Sequence, residues 1–189
     1  MQTKKTRTLI ATRTIAYSAL LAAISVVMAR LLSFAPVPEI RLSLDKFPLF
    51  LAGMFFGPVT GCMVSFAADF VGCLFSPYGF NPIFSPAAIF YGLMGGLFRH
   101  FIAQKPNIFR IAVGYFCPVL LGSVLYQSAA LAWTYSSTTF QAAFLTHLGT
   151  RSIQFAVTLV LEVAIIFLLT QTKVFHHLGI WPPKRKETL

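Results

Sequence analysis

Gly57-Pro58-Val59-Thr60-Gly61-Cys62-Met63-Val64-Ser65-Phe66-Ala67-Ala68-Asp69-Phe70-Val71-Gly72 is an apolar, glycine-marked run with a single carboxylate in it. Gly57-Pro58 breaks the preceding apolar stretch and starts a new helix, because proline's missing N–H is not needed in a first helical turn. In a soluble core the acid would be unusual. At the middle of a bilayer helix it costs roughly 2.5–3.5 kcal/mol. That cost is tolerated when the acid faces an internal cavity and meets a hydrogen-bond donor, supplied by another side chain or by a ligand. Asp69 is therefore the first candidate functional residue.

The rest of the chain supports a membrane setting. Of its 189 residues, 57% are hydrophobic and 11% charged, against about 25% charged in an average soluble domain. The reading is a single membrane domain, 1–189, with no stretch resembling a soluble catalytic domain. The net charge of +10 is clustered. Lys4, Lys5, Arg7 and Arg13 open the chain, Arg99, Lys105 and Arg110 sit mid-chain, and Lys173, Lys184, Arg185 and Lys186 close it. Three clusters that can share one membrane face follow the positive-inside pattern and call for no nucleic-acid partner. The run from Leu9 to about Leu32 is too long for a signal-peptide core and lacks a cleavage site, so it is expected to stay as a helix. Cys62, Cys73 and Cys117 are odd in number and lack C-x-x-C spacing, which argues for buried free thiols rather than a disulfide framework or a zinc site.

About 20 helical residues cross a 30 Å hydrocarbon core. Six apolar segments are expected at about 9–32, 46–56, 58–75, 86–103, 108–134 and 146–171, with basic tails at 1–8 and 172–189. The expected fold is thus an all-α integral membrane protein of six transmembrane helices. An even count places both termini and the 99–110 loop on the cytoplasmic side, and the loop of Pro36 and Pro38, ending near Asp45, outside. Segment 46–56 is too short to cross alone unless it extends or tilts. Small residues recur at four-residue spacing (Ala19/Ala23, Gly53/Gly57, Gly57/Gly61, Gly92/Gly96), which lets helix backbones approach closely in lipid. On the first helix they are dense enough to suggest a docking face for another membrane protein. No internal repeat of the kind found in many secondary transporters is visible.

Enzyme signatures are missing. The sequence has no G-x-x-x-x-G-K-[ST], no H-E-x-x-H and no G-x-S-x-G. The histidines are scattered or interfacial, and the five acids, Glu39, Asp45, Asp69, Glu162 and Glu187, form no paired motif. Neither a metal site nor a cofactor is expected, and the chain reads as a non-enzyme.

The outer half carries basic residues that the positive-inside rule does not require: Arg30, Arg41, Lys46 and Arg151. Snorkelling to headgroups, or pairing with Glu39 and Asp45, explains them in one way. An anion-attracting rim explains them in another, because guanidinium captures a carboxylate through two parallel hydrogen bonds. Phe34, Phe80, Phe84, Tyr126, Trp133 and Tyr135 lie towards the same side. Interface belts account for many of them. With Asp69 and the arginines they could also line a pocket for a flat heterocycle with an acidic tail.

Ala29-Arg30-Leu31-Leu32-Ser33-Phe34, Ile40-Arg41-Leu42-Ser43, Gly53-Met54-Phe55-Phe56-Gly57-Pro58 and Ala68-Asp69-Phe70-Val71-Gly72-Cys73-Leu74-Phe75 together resemble the folate-specific S components of energy-coupling factor (ECF) transporters. The likeness is densest over about 29–98. It implies a six-helix vitamin-binding subunit in the bacterial plasma membrane, with an outward-facing pocket. It also implies partners: a transmembrane coupling protein and two ATPases, whose ATP hydrolysis topples the S component to deliver substrate inward. The family's alanine-rich docking motif is matched by Ala19-Leu20-Leu21-Ala22-Ala23, which makes Ala19 and Ala23 the docking candidates. Folate or a related pterin-bearing acid is the implied substrate. Asp69 would accept from the heterocycle, Arg30, Arg41 and Arg151 would meet carboxylates, and Phe34, Phe84, Tyr126 and Trp133 would line the pocket. The chain departs from the family at Asn81-Pro82-Ile83-Phe84-Ser85-Pro86, where F-P-G-F-T is common, and at Gln127-Ser128, where N-T is common. Arg151-Ser152-Ile153 is similar to an arginine-isoleucine pair of the last helix. The alternatives are an S component for another vitamin, an independent transporter using Asp69 or Glu162 as a proton site, and a scaffold for other membrane proteins.

Overall fold

The computed structural model describes residues 2–31, 34–37, 40–75, 79–104, 107–135 and 139–172, with side chains from 12 to 31 and from 43 onward. In chain order the elements are α1 (Gln2–Leu31), β1 (Phe34–Val37), β2 (Ile40–Leu42), α2 (Phe47–Phe56), α3 (Pro58–Leu74), α4 (Ser85–Leu97), α5 (Arg99–Gln104), α6 (Ile108–Pro118), a π-helical segment (Val119–Tyr126), α7 (Gln127–Tyr135) and α8 (Phe140–Gln171).

The bundle is built around α2. Phe47-Pro48-Leu49-Phe50-Leu51-Ala52-Gly53-Met54-Phe55-Phe56 has no polar residue, and a helix that is apolar on every side is buried on every side. Every residue from Phe47 to Phe55 is buried accordingly. Ten residues rise about 15 Å, half the hydrocarbon thickness of about 30 Å. Packing among neighbours, not length, therefore keeps α2 in place. The chain reverses at Gly57, whose φ of 98° is costly for any residue with a Cβ, and Pro58 opens α3.

The glycine rows legible in the sequence meet one another. A Cβ on Gly53 would fall 2.0 Å from the Gly92 carbonyl oxygen, one on Gly92 2.2 Å from that of Gly61, and one on Gly96 2.2 Å from the Pro58 nitrogen. The backbones of α2, α3 and α4 thus touch without intervening side chains, which maximises dispersion where lipid offers no hydrophobic drive.

Several expected elements take a different form. The segment expected at 86–103 is interrupted at Phe98 into α4 and α5. The Phe98 N–H to Met94 oxygen and Ile102 N–H to Phe98 oxygen bonds, both 2.9 Å, still bridge the interruption. Segment 108–134 is helical throughout but passes through a π-helical stretch after Pro118. Proline there brings no N–H for the preceding turn, and the ladder loosens into the wider register. The last helix begins at Phe140 rather than near 146, and α1 begins at Gln2, inside the expected tail. The expected outer loop contains an antiparallel hairpin, with Phe34 opposite Leu42 and Val37 opposite Ile40. Among the described residues the body is helical, as expected, and this short hairpin is the exception. The basic residues of the 173–189 tail lie outside the described residues.

Among the described residues, three helices are long and apolar enough to cross a membrane: Thr12–Leu31, Ile108–Tyr135 and Phe140–Gln171. Phe47–Phe56 and Pro58–Leu74 are shorter apolar helices.

Candidate functional site

A cavity of about 330 Å³ opens where α1, the residues ahead of α2, α3, α7 and α8 converge. Helical spacing explains which residues reach it. Ser25, Val26, Ala29 and Arg30 form one stripe of α1, Ala68, Asp69, Gly72 and Cys73 one stripe of α3, and Arg151, Gln154 and Phe155 one stripe of α8. Ser43, Asp45, Lys46, Leu49, Ala88 and Gln127 complete the wall.

Asp69 Oδ2 accepts the Ser85 hydroxyl at 2.7 Å. Ser85 is buried at the start of α4, so a neighbouring helix fixes the carboxylate. A carboxylate has about four acceptor positions, and this bond leaves capacity for further donors. One turn along α3, the Gly72 carbonyl accepts Arg30 Nη2. Arg30 Nε is buried with no partner. The Arg151 guanidinium stands over the Phe155 ring, 5.9 Å from its centroid, which holds a cation at the wall through the ring's quadrupole.

Asp45 and Lys46 form an ion pair at 2.8 Å with side chains 15% and 20% exposed. The Ser43 hydroxyl donates to Asp45 Oδ1 at 2.7 Å, and the Ser25 hydroxyl to the Asp45 carbonyl at 2.7 Å. Burial disfavours the charged carboxyl, but Lys46 and the Ser43 hydroxyl outweigh it and hold Asp45 below its ordinary pKa. With Lys46 and Asp45 paired to each other, the other charged side chains of the wall among the described residues are Arg30, Arg151 and Asp69. Such a wall suits a ligand with a hydrogen-bond-donating edge and a negative charge.

Of the residues singled out in the sequence, the cavity brings together Arg30, Asp69 and Arg151. The expected aromatic surfaces stand elsewhere. Phe84 stacks on Tyr135 with centroids 6.3 Å apart and planes at 12°. The Tyr126 hydroxyl is tied to the Ile83 carbonyl at 2.9 Å. Trp133 is 78% exposed. Phe84 and Tyr126 thus have partners outside the cavity wall, and among the described residues the ring in the wall is Phe155. Lys46 follows the pairing reading rather than the rim reading. The side chains of Phe34 and Arg41 lie outside the described residues, although the backbone sets both in the hairpin. Ala19 and Ala23 are exposed on α1, while Ser18 and Ser25 are buried. Glu162 is 1% exposed, accepts the Tyr115 hydroxyl at 2.7 Å and does not line the cavity.

Sequence reasoning missed Gln154, Phe155, Ser25 and Ser43, and met Gln127 only as a departure from a family motif. Gln154 and Phe155 had a usable signal, since they follow Arg151 by three and four residues and so share its helix face. Among the described residues no three His, Cys, Asp or Glu side chains gather where a metal ion could sit.

The chain is similar to the crystal structure of FolT bound with folic acid, with a TM-score of 0.65 and 24% sequence identity over 79% of this chain and 89% of that one. At that identity the likeness carries the fold. No curated protein matches the sequence. Residues 13–174 match the family described as "ECF transporter, substrate-specific component". Covering most of the membrane domain, that match shows that the chain belongs to the substrate-specific components of ECF transporters.

Proposed function

We propose that this substrate-specific component captures folate from outside the cell. The observation that carries the reading is the convergence of Asp69, Arg30 and Arg151 on one cavity. A pterin presents adjacent N–H donors on one edge, which a carboxylate accepts in parallel, and the glutamate tail presents carboxylates that guanidinium groups bind. A volume of about 330 Å³ falls within the usual range of small-molecule pockets. The folic acid bound in the FolT structure supports the same class of ligand on the same fold.

The wider mechanism follows from the family. Six membrane passes with both termini in the cytoplasm would set the cavity in the outer half of the plasma membrane, and the basic clusters of the sequence support that orientation. A coupling protein would dock on α1, where Ala19 and Ala23 are exposed, and two ATPases would supply the energy for toppling. With no nucleotide motif of its own, the chain would bind and deliver, and hydrolyse nothing. The partner subunits and the bilayer complete the machine.

The test is mass spectrometry of the small molecule that co-purifies with the protein. Folate supports the reading. A different vitamin rejects folate while keeping the transport role.

A further inference from the structure

The segment that leads into α7 is wound more widely than the helices around it. It is π-helical from Val119 to Tyr126, and the Gln127 backbone N–H closes that register on the Gly122 carbonyl. Each residue that a π-helical stretch adds turns everything after it by about 100° against an unbroken α-helix. α7 therefore meets the bundle with a face that the winding of α6 alone would not give it. Gln127 comes to the cavity wall, Ser128 is fully buried, and Leu125 is 39% exposed.

Two contacts seat this stretch against the start of α4. The Tyr126 hydroxyl donates to the Ile83 carbonyl at 2.9 Å. Gly122 lies so near α4 that a Cβ on it would fall 3.0 Å from the Ala87 carbonyl oxygen. Ser85 lies between Ile83 and Ala87 in the chain and donates to Asp69 Oδ2 at 2.7 Å. Ala88, one residue beyond Ala87, lines the same cavity as Gln127 and Asp69. The part of the wall where α7 begins is thus the part where Ser85 holds Asp69.

A carboxylate and an amide at one corner offer different chemistry. Ionised Asp69 only accepts hydrogen bonds, whereas the Gln127 amide donates and accepts, and turning it over exchanges the two. A pterin edge that gives adjacent N–H groups to a carboxylate carries a ring carbonyl beside them, and that carbonyl needs a donor. We propose that Gln127 is a specificity-determining residue of the cavity: brought to the Asp69 corner by the π-helical stretch, its amide reads the ring group next to the N–H pair that Asp69 accepts. The proposal rests on the reading of that cavity as the folate site and deepens it. Because the amide works in both directions, it admits a ring carbonyl or a ring amino group.

The test is calorimetric titration of the detergent-solubilised full chain with folic acid and with aminopterin, which has an amino group where the pterin of folic acid has its ring carbonyl. Wild type is compared with Gln127→Glu, Gln127→Met and Gln154→Glu, with thermal unfolding measured on each. An ionised Gln127→Glu side chain has no donor. It is expected to shift the ratio of the two affinities at least tenfold towards aminopterin. Gln127→Met keeps the length and loses both functions, and is expected to weaken both ligands about fivefold, the scale of one neutral hydrogen bond. Gln154→Glu adds the same charge to the wall, one helical turn from Arg151, where the ligands share their glutamate tail. It is expected to keep the wild-type ratio. An unshifted ratio in Gln127→Glu, or an equal shift in Gln154→Glu, overturns the proposal. Wild-type affinities in Gln127→Met also overturn it, and this variant decides if Gln127→Glu does not fold. If the wild type takes up neither ligand, the folate reading fails, and the placement of Gln127 is decided by labelling Gln127→Cys and Leu125→Cys in proteoliposomes with a charged methanethiosulfonate, read by peptide mass spectrometry. Faster modification of Gln127→Cys supports the placement on a water-filled cavity, and equal rates overturn it.

Discussion

The Ser85 hydroxyl holds Asp69 Oδ2 at 2.7 Å, so the first residue of α4 orients the carboxylate of α3. A carboxylate held by a neighbour need not be ordered by the ligand, and preorganisation of this kind lowers the cost of binding. Ser85→Ala is expected to weaken folic acid binding about tenfold, the scale of one hydrogen bond to a charged group. Calorimetry on the two proteins measures it. Equal affinities would mean that the carboxylate needs no orienting.

Arg151 lies in the wall beside Phe155, where a planar fork can meet a carboxylate. Lysine keeps the charge and loses the fork. Arg151→Lys should therefore bind folic acid about tenfold more weakly, while pteroic acid, which lacks the glutamate, should bind nearly as before. Equal losses for both ligands would place Arg151 away from the glutamate end.

Cys73 lines the cavity, and Cys62 and Cys117 do not. All three are free and half-buried. Saturating folic acid is expected to slow maleimide modification of Cys73 and to leave the other two unchanged, as read by peptide mass spectrometry. Protection of all three alike would point to a general tightening rather than to occupancy of this cavity.

Gly92 sits where a Cβ would lie 2.2 Å from the Gly61 carbonyl oxygen and 2.5 Å from Ser65 Oγ. Gly92→Ala must push two backbones apart and is expected to cost about 3 kcal/mol or more. Gly79 has a φ of +69° and nothing within 4 Å, so Gly79→Ala should cost about 1 kcal/mol, from conformation alone. Thermal unfolding in detergent compares the two. A Gly92→Ala protein as stable as wild type would contradict the close three-helix contact.

These contrasts explain what could be read in the sequence. Asp69 was legible because an acid in an apolar helix is costly wherever it points, and that cost demands a reason. Arg30 and Arg151 drew notice because charge on the expected outer side runs against the positive-inside pattern. The glycine rows announced close helix contacts, and the structure joins them into one junction of α2, α3 and α4. Gln127, Gln154 and Ser25 were silent, since a neutral polar residue costs too little in a helix to mark which way it faces. Phe84, Tyr126 and Trp133 stand outside the cavity wall, which the sequence could not show for the same reason in reverse. An aromatic ring is equally at home against lipid, protein or ligand, and only packing decides. The pairing of Tyr115 with Glu162 joins residues 47 apart in the chain, a separation that no local pattern encodes. The paired strands Phe34–Val37 and Ile40–Leu42 were hidden by Pro36, since proline is a poor strand former except at edges.

The most direct test of the account is a folic acid titration of the purified chain alone beside its Asp69→Ala variant. The account predicts saturable one-to-one binding by the wild type and a loss of at least tenfold in the variant, the scale of removing a charged acceptor from a buried contact. A wild type that takes up no folic acid, or a variant that binds it equally well, would contradict the central claim.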